Sequence, residues 1–452
     1  MPEWILDMNK AINQVVWGVP MLLLLVGTGI FFTVSLGFIQ ITKIRGWTKE
    51  TFGTFFKKQS GGDSNGISPY RAAASALAST IGTGNVVGVA TAIVAGGAGS
   101  VFWMWVSAFF GMATKYAEIV LAVKYRCRGK GGEFYGGPMY YIEKGIGAKW
   151  KWLAVLFALS GALACPGMGG MSQSNAIASV ISSHVGIPGW ATGIILVVIT
   201  AIAVSGGIKR ISSFAEKIVP IMAIFYIMGG IIVMLSDIEA TARAFRLIFT
   251  EALAPRAAYG GVAGYMTSRA VRFGVARGVF TNEAGLGSAP IVHSAANAKS
   301  PVMQGYWGIF EVFVDTFVIC SVTALVVISS GLYKTGLDGA ALTSAAFRQS
   351  LGSAGGIFVG ISTILFALAT ILGWSYYGEE CMSYITRGNG TVKKAYKALF
   401  VAFVMIGAVS RVDAVWEVAD TLNGVMAVPN LIAIIMLSGV VIKETKTEVL
   451  RK

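Results

Sequence analysis

Charged residues are scarce in this chain: they make up 13% of its 452 residues, whereas hydrophobic residues make up 55%. A soluble globular domain carries about 25% charged residues. The composition therefore excludes an ordinary soluble globule and indicates a polytopic membrane protein. The net charge of +14 lies in short loops between apolar runs. Such loops fit contact with the lipid bilayer and the positive-inside rule better than binding of nucleic acid.

Cysteine is rare as well. Cys127, Cys165, Cys320 and Cys381 lack Cys-x-x-Cys spacing, so we interpret them as free thiols rather than as disulfides or a zinc site. The predicted spans contain neither a paired His/carboxylate metal motif nor a nucleophile motif, so we expect no enzyme activity and no organic cofactor.

Apolar runs of about 20 residues, the length that crosses a bilayer, predict eleven spans. They are 14–41, 69–96, 101–125, 152–181, 188–205, 211–235, 260–290, 304–330, 355–385, 392–409 and 415–442. With the N-terminus outside, the inside segments hold 25 Lys and Arg and the outside segments hold 10. We therefore expect the N-terminus outside and the C-terminus in the cytoplasm. Pro166 and three nearby glycines predict a kink in the fourth span.

Two spans are interrupted by glycine. The second contains Gly82-Thr83-Gly84-Asn85 and the seventh contains Gly285-Leu286-Gly287-Ser288. Glycine, threonine and asparagine are poor helix residues, and an unwound turn at membrane depth is tolerated only where protein or water surrounds it. The alternative is that both are helix-packing motifs. A pair of interrupted helices at matching positions favours a transporter, whose binding site lies at the breaks.

The two interrupted spans also divide the chain. Residues 69–236 form five spans that begin inside, and residues 260–442 form five that begin outside. An extra helix with a basic loop (1–68), an amphipathic connection (237–259) and a tail (443–452) complete the chain. We predict an all-α polytopic membrane protein with eleven transmembrane helices: one extra N-terminal helix and a five-plus-five inverted repeat with two discontinuous helices.

Residues 96–112 read GGAGSVFWMWVSAFFGM, and this stretch strongly resembles the signature of the alanine/glycine:cation symporter family. The GTGN, GVFTNEAGLGSAP and ATILGWSYYGE stretches resemble the same family. The resemblance implies the fold of the amino acid–polyamine–organocation superfamily, shared with neurotransmitter:sodium symporters. It also implies uptake of alanine and glycine coupled to Na+.

The resemblance further implies ion ligands. The carbonyls of Ala78 and Ile81 would face a sodium ion, together with the Ala367 carbonyl and the Thr370 hydroxyl of the ninth span. Ile371 stands where the family fold often has a second hydroxyl, so Thr363 or Thr80 can contribute instead. A second sodium site would involve Thr80, Asn85 and Thr281.

An amino-acid substrate brings a carboxylate and an ammonium group. The amides of Thr83 and Gly84 can bind the carboxylate at the start of a half-helix, and Gln173 can donate to it or make an interhelical hydrogen bond instead. The carbonyls from Phe280 through Thr281 and Asn282 to Ala284 can bind the ammonium, and Thr80 is also expected to bind the substrate. Phe280 and Trp374 either cap the cavity or pack in the core. The small residues Gly82, Gly84, Ala284 and Gly285 leave room for glycine and alanine.

Ionisable residues inside spans are costly and therefore informative. Glu311 and Asp315 lie four apart on the eighth span. They either hold a proton or an ion, or pair with arginines of the seventh span. We place these arginines along an outer vestibule; they are Arg269, Arg272 and Arg277.

Other ionisable residues have simpler expected roles. Lys115 and Glu118 are expected to pair within their helix, and His184 and His293 are expected at the membrane interface. Glu283 can cap a half-helix, balance Arg277 or line an ion path.

The sequence thus predicts a sodium-coupled symporter for alanine and glycine that works by alternating access, as a monomer. A proton-coupled carrier, a carrier of broader small neutral amino acids and a channel are the alternatives.

Overall fold

The computed structural model describes residues 3–55, 66–129, 131–252, 262–410 and 413–450. Its first part contains α1 (Glu3–Val16), α2 (Val19–Ser35), α3 (Ile39–Thr42), α4 (Ile44–Phe55), α5 (Pro69–Thr80), a π-helical turn (Gly84–Gly88), α6 (Val89–Gly96), α7 (Gly99–Lys124), the strands β1 (Cys127–Arg128) and β2 (Phe134–Tyr135), α8 (Pro138–Tyr141), short π and 3-10 turns (Ile142–Ile146, Ala148–Trp150), α9 (Lys151–Cys165), a π-helical turn (Pro166–Met171), α10 (Ser172–Val185), α11 (Gly189–Ser205) and α12 (Gly207–Ser236). The two strands pair antiparallel.

The remaining elements are helical as well. They are α13 (Ile238–Ala252), α14 (Val262–Asn282), α15 (Ala289–Ser294), α16 (Pro301–Val312), a π-helical segment (Phe313–Cys320), α17 (Ser321–Ser330), a 3-10 turn (Leu332–Lys334), α18 (Gly339–Leu351), α19 (Ser353–Ile385), α20 (Gly390–Val409), α21 (Asp413–Met436) and α22 (Ser438–Leu450). The sequence does not predict α18, because this segment is only weakly apolar.

Seven helices of the described segments are long and apolar enough to cross a membrane, and eight if the bent pair α5/α6 counts as one span. The apolar α11 is a little shorter. The helices α14 and α20 lie in the seventh and tenth predicted spans but are not among these seven. The first carries three arginines and the second carries three lysines. The chain is therefore a multi-pass helical protein, and the count of eleven spans remains a prediction.

The first predicted break is confirmed. Ser68 caps α5 by accepting a hydrogen bond from the Arg71 amide, and Pro69 occupies the first turn, as helix starts favour. The helix ends at Thr80, Ile81 is extended, and the chain resumes as a helix bent by 50° from α5.

The second predicted break is also confirmed. The helix α14 ends at Asn282, and α15 begins at Ala289. Between them Gly285 and Gly287 have φ of 93° and 81°, a conformation that glycine adopts without steric cost. Glu283 has φ of 56°, which is unusual for a residue with a side chain.

Two further spans contain wide turns. Residues Pro166–Met171 form the predicted irregularity of the fourth span as a π-helical turn. The eighth span changes from α- to π-helix at Phe313, which the sequence does not predict. Such π-helical turns occur often at functional sites. Both wide turns contribute to the buried core, with Met168 from the first and Ile319 and Cys320 from the second.

Candidate functional site

The two breaks contact each other. A methyl group added to Gly84 would lie 3.2 Å from the Thr281 Cγ2 and 3.6 Å from the Phe280 ring. Thr83 and Thr281 are buried there, while Phe280 is partly exposed. The structure therefore brings together the first-break residues and the end of α14 that were predicted to form one site.

A cluster of oxygen atoms lies where α19 meets the first break. The Thr370 hydroxyl oxygen lies 3.2 Å from the Ala78 carbonyl, 3.4 Å from the Ile81 carbonyl and 3.0 Å from the Phe366 carbonyl of its own helix. One hydroxyl proton cannot serve three acceptors fully. Such a set of neutral oxygens is of the hard kind that small cations such as sodium favour.

The break itself frees these carbonyls. In an unbroken helix the Ala78 carbonyl would accept from the Gly82 amide, but that amide donates to the Asn85 Oδ1 at 2.9 Å. Likewise the Asn85 amide bonds to the Gly82 carbonyl instead of that of Ile81. Asn85 thus rearranges the hydrogen bonds of the break and leaves two carbonyls directed at Thr370.

The other residues predicted to bind the first sodium ion do not hydrogen-bond to the oxygen cluster at Thr370 among the described residues. The hydroxyls of Thr80 and Thr363 each donate to the carbonyl four residues earlier in their own helices, Ala76 and Val359. Ala367 is buried on α19, about one helical turn before Thr370. Its carbonyl accepts no hydrogen bond from a backbone amide of the first break among the described residues.

A second polar cluster links the first break to the π-helical segment. The Asn85 Nδ2 donates to the Asp315 Oδ1 at 2.6 Å and contacts the Cys320 Sγ at 3.2 Å. The Thr316 hydroxyl donates to the Asp315 Oδ2 at 2.9 Å. Thr281 lies next to this cluster: its hydroxyl donates to the Gly278 carbonyl at 3.0 Å and is 3.8 Å from the Cys320 Sγ. Asp315 is fully buried. A buried carboxylate with neutral partners is costly, so this cluster is suited to a cation.

The π-helical segment explains why Glu311 and Asp315 do not act together. Residues four apart share a face in an α-helix, but the wider turn starts at Phe313, between them. Glu311 pairs with Lys115 at 3.4 Å and with His293, whereas Asp315 faces Asn85. Their partners are thus not the vestibule arginines. Sequence reasoning missed the Asp315–Asn85 contact because it assumed a regular helix.

The predictions for the other ionisable residues need correction. Lys115 does not pair with Glu118; its ammonium donates to the Asn282 carbonyl at 2.7 Å. Glu118 instead accepts from the Asn430 amide. His293 is fully buried rather than interfacial, and Glu283 accepts from the Ser288 hydroxyl.

Several predicted substrate residues at the second break already have partners. The Asn282 carbonyl accepts from Lys115, its Oδ1 accepts from the Ala284 amide at 3.0 Å, and its Nδ2 donates to Thr316. The Gly285 carbonyl accepts from Asn430 at 2.9 Å. Asn282, Ala284 and Gly285 therefore shape the break, and Phe280 and Thr281 are the residues that contact Gly84.

The fourth span and α19 complete the surroundings. Trp374 is buried and its Nε1 donates to the Ser79 carbonyl at 3.3 Å, and it packs directly on Gly169 of the π-helical turn. Gln173, one turn further on, donates to the Met168 carbonyl at 3.2 Å. Its buried Oε1 has no hydrogen-bond partner among the described residues.

The arginine-bearing face of α14 runs toward the breaks. The Arg277 guanidinium lies 5.4 Å from the centre of the Phe280 ring, within the range of a cation–π contact. Arg272 is exposed and Arg269 is partly exposed, so both are accessible, and the vestibule itself stays a prediction.

A separate cavity of about 840 Å³ lies between the β1–β2 ribbon and the end of α19. Burial alone would raise the pKa of Glu143 at its rim, but hydrogen bonds from Lys151 and Tyr384 hold that pKa below its ordinary value. The carboxylates Glu379 and Glu380 at this cavity pair with Lys393. Because these carboxylates are paired and the cavity does not reach either break, we do not assign the site to it.

The chain is similar to known transporters over almost its whole length. The family model described as the sodium:alanine symporter family matches residues 3–449. The chain is 47% identical over 443 residues to the sodium/alanine symporter AgcS of Methanococcus maripaludis, covering 97% of this chain and 96% of that protein. It is 46% identical over 440 residues to an uncharacterized transporter of Haemophilus influenzae (97% and 94% covered). It is 36% identical over 435 residues to the probable sodium/glutamine symporter GlnT of Bacillus subtilis (96% and 88% covered).

Proposed function

The chain belongs to the sodium:alanine symporter family, and from this membership we propose that it takes up alanine and glycine together with sodium ions by alternating access. It is a multi-pass membrane transporter of amino acids and not an enzyme. The finer architecture is part of the proposal: eleven spans, a five-plus-five inverted repeat, the N-terminus outside, the C-terminus in the cytoplasm and a functional monomer.

The observation that carries the proposal is the oxygen cluster between Thr370 and the first break. Its ligands come from the first break, at the end of α5, and from α19, so a sodium ion bound there would stabilise their contact. A methyl group on Gly373 would lie 1.9 Å from the Ser79 Oγ, so the two helices already approach as closely as glycine permits. Ala367 is included as the remaining ligand of this first sodium site.

We place the second, weaker sodium site at Asn85 and Thr281, and add Asp315. This carboxylate accepts from Asn85 at 2.6 Å, lies in the same polar cluster as Thr281 through Cys320, and would supply the negative charge that a buried cation needs. Because Asn85 also organises the first break, an ion there and an ion at Thr370 would favour the same conformation. Coupling of this kind requires that each ligand strengthen the binding of the other.

The substrate lies, in this proposal, between Gly84 and Phe280. The amides of Thr83 and Gly84 precede the first full helical turn after the break and are free of intrahelical partners, so they would bind the carboxylate. The Thr83 hydroxyl is buried and has no hydrogen-bond partner among the described residues, so it is available as well. Carbonyls of Phe280 and Thr281 would bind the ammonium, and Gln173 and Trp374 would bound the cavity.

Two other functions remain as alternatives for specific reasons. GlnT is named for glutamine, so relatives of this chain differ in substrate, and a broader set of small neutral amino acids is the second candidate. The buried carboxylates Glu311, Glu283 and Asp315 are compatible with coupling to protons instead of sodium.

Uptake of labelled alanine into proteoliposomes tests the proposal. We expect accumulation driven by an inward sodium gradient, saturation at low alanine concentration, and competition by unlabelled glycine. Accumulation driven equally well by a proton gradient in sodium-free buffer would contradict sodium coupling. Flux that does not saturate would indicate a channel.

Phe280→Ala tests the location of the substrate. Removal of the ring beside Gly84 should leave more room for a side chain at the proposed substrate site, and the ratio of glutamine uptake to alanine uptake should rise about tenfold, a usual size for changes of pocket volume. Phe273→Ala is the matched control, because Phe273 lies two turns earlier on α14 and also contacts an arginine, Arg269 at 5.6 Å. An equal change of the ratio in both variants would contradict the assignment.

A further inference from the structure

Two charged residues of α7 are directed at the second break. Lys115 and Glu118 are both fully buried and lie one helical turn apart. The Lys115 ammonium donates to the Asn282 carbonyl at 2.7 Å, at the end of α14. The Glu118 carboxylate accepts from the Asn430 amide, and the backbone amides of Gly285 and Gly287 face it from within the break.

The signs of these charges match the backbone groups that they meet. The last carbonyls of a helix carry partial negative charge and lack intrahelical partners, so a cation stabilises them. Lys115 fills this role at the end of α14. The amides of a non-helical break carry partial positive charge, which a nearby anion stabilises, and the Glu118 carboxylate lies close to those of Gly285 and Gly287. One helix thus supplies a complementary charge to each side of the break.

Further side chains extend the contact to the far side of the break. The Glu311 carboxylate lies 3.4 Å from the Lys115 ammonium and also bonds to the His293 Nε2. His293 belongs to α15, and its Nδ1 contacts the Gln304 amide of α16 at 2.7 Å. Asn430 of α21 bonds to both Glu118 and the Gly285 carbonyl. The helices before and after the break are therefore tied to one charged turn of α7.

We propose that Lys115 and Glu118 are positioning residues that fix the conformation of the second break, and thereby hold Phe280 and Thr281 against Gly84. The proposed substrate and sodium sites include neither residue. Their consequence for transport rests on the proposed function, because it assumes that Phe280 and Thr281 line the substrate and ion sites.

Glu118→Gln is the most informative variant. Glutamine has nearly the same size and can still bond to Asn430, but it lacks the charge that the two glycine amides face. We expect hydrogen exchange of the 283–289 backbone amides in nanodiscs to accelerate about tenfold, because exchange reports the free energy of local opening. Amides at the first break, 81–86, should exchange at the wild-type rate. The Michaelis constant for alanine should rise about fivefold or more, with a smaller effect on maximal rate.

Tyr116→Phe is the matched control. Tyr116 is the neighbouring residue of α7, is also fully buried, and bonds to the Thr445 hydroxyl on another face of the helix. This variant also loses a buried hydrogen bond, so any general loosening of α7 should appear in it. We expect wild-type exchange at the second break and a wild-type Michaelis constant.

Lys115→Met provides a second measurement on the other side of the break. We expect faster exchange of the 280–285 amides in this variant. In Lys115→Met the Glu311 carboxylate stays buried without its ammonium partner, which is costly. Adding Glu311→Gln removes that unpaired charge, so the double variant should recover part of the protection.

Wild-type exchange at 283–289 in Glu118→Gln would overturn the proposal, and so would equal acceleration in Tyr116→Phe. Exchange does not depend on which molecule is transported. If the wild-type protein fails to take up alanine while Glu118→Gln still loosens the break, the proposed function fails and the positioning role stands.

Discussion

Replacement of Thr370 by alanine is expected to raise the sodium concentration for half-maximal alanine uptake about tenfold or more. The variant removes the hydroxyl oxygen that lies within 3.4 Å of two carbonyls freed by the first break. Loss of one such polar contact in a buried site costs about 1–3 kcal/mol, and about 1.4 kcal/mol corresponds to a factor of ten in affinity.

The matched control is Thr370→Ser, which keeps the hydroxyl and removes only a methyl group. Sodium titrations of uptake in proteoliposomes should place this variant near the wild type and far from Thr370→Ala. Unchanged sodium dependence in Thr370→Ala would remove the first ion site from the contact between α5 and α19.

Asp315→Asn is expected to have an effect of similar or larger size. The amide keeps the shape of the side chain and an oxygen for Thr316, but it removes the negative charge from the second polar cluster around Asn85 and Thr281. Interactions with charged groups contribute about 1.5–3 kcal/mol when buried, so the sodium concentration for half-maximal uptake should rise about 10- to 100-fold, with reduced steepness of the sodium dependence.

Glu379→Gln serves as the control for Asp315→Asn. It makes the same chemical change at a nearly buried carboxylate of α19, which pairs with Lys393 and Lys397 beside the separate cavity. Its sodium dependence should remain that of the wild type. A wild-type sodium dependence in Asp315→Asn as well would show that the Asp315 charge takes no part in ion binding.

Local composition was sufficient to predict both breaks. Gly82 to Asn85 and Gly285 to Ser288 combine residues that disfavour helix with positions inside long apolar runs, and the structure unwinds at both. The resemblance to the family predicts the contact between Thr370 and the first break, and the structure contains that contact; the sodium ion at this contact is part of the proposal.

The polar contacts between distant helices could not be predicted in the same way. Lys115 and Glu118 are three residues apart, which suggests a pair within the helix, but α7 directs both at segments about 170 to 310 residues further along the chain. Glu311 and Asp315 are expected on one face because the spacing rule assumes 3.6 residues per turn. The π-helical segment violates that assumption, and nothing in FVDTFVIC marks it.

The π-helical segment of the eighth span also offers a route for motion. Each wide turn holds about one residue more than an α-helical turn, and that surplus can move along a helix by exchanging one backbone hydrogen bond at a time. Such migration would rotate the Asp315 side chain relative to Asn85 while the ends of the span, at Pro301 and Ser330, stay in place. The membrane helix would then change the direction of the Asp315 carboxylate by a local twist of its backbone. Neither a rigid-body tilt of the whole helix nor a hinge in a loop would be needed.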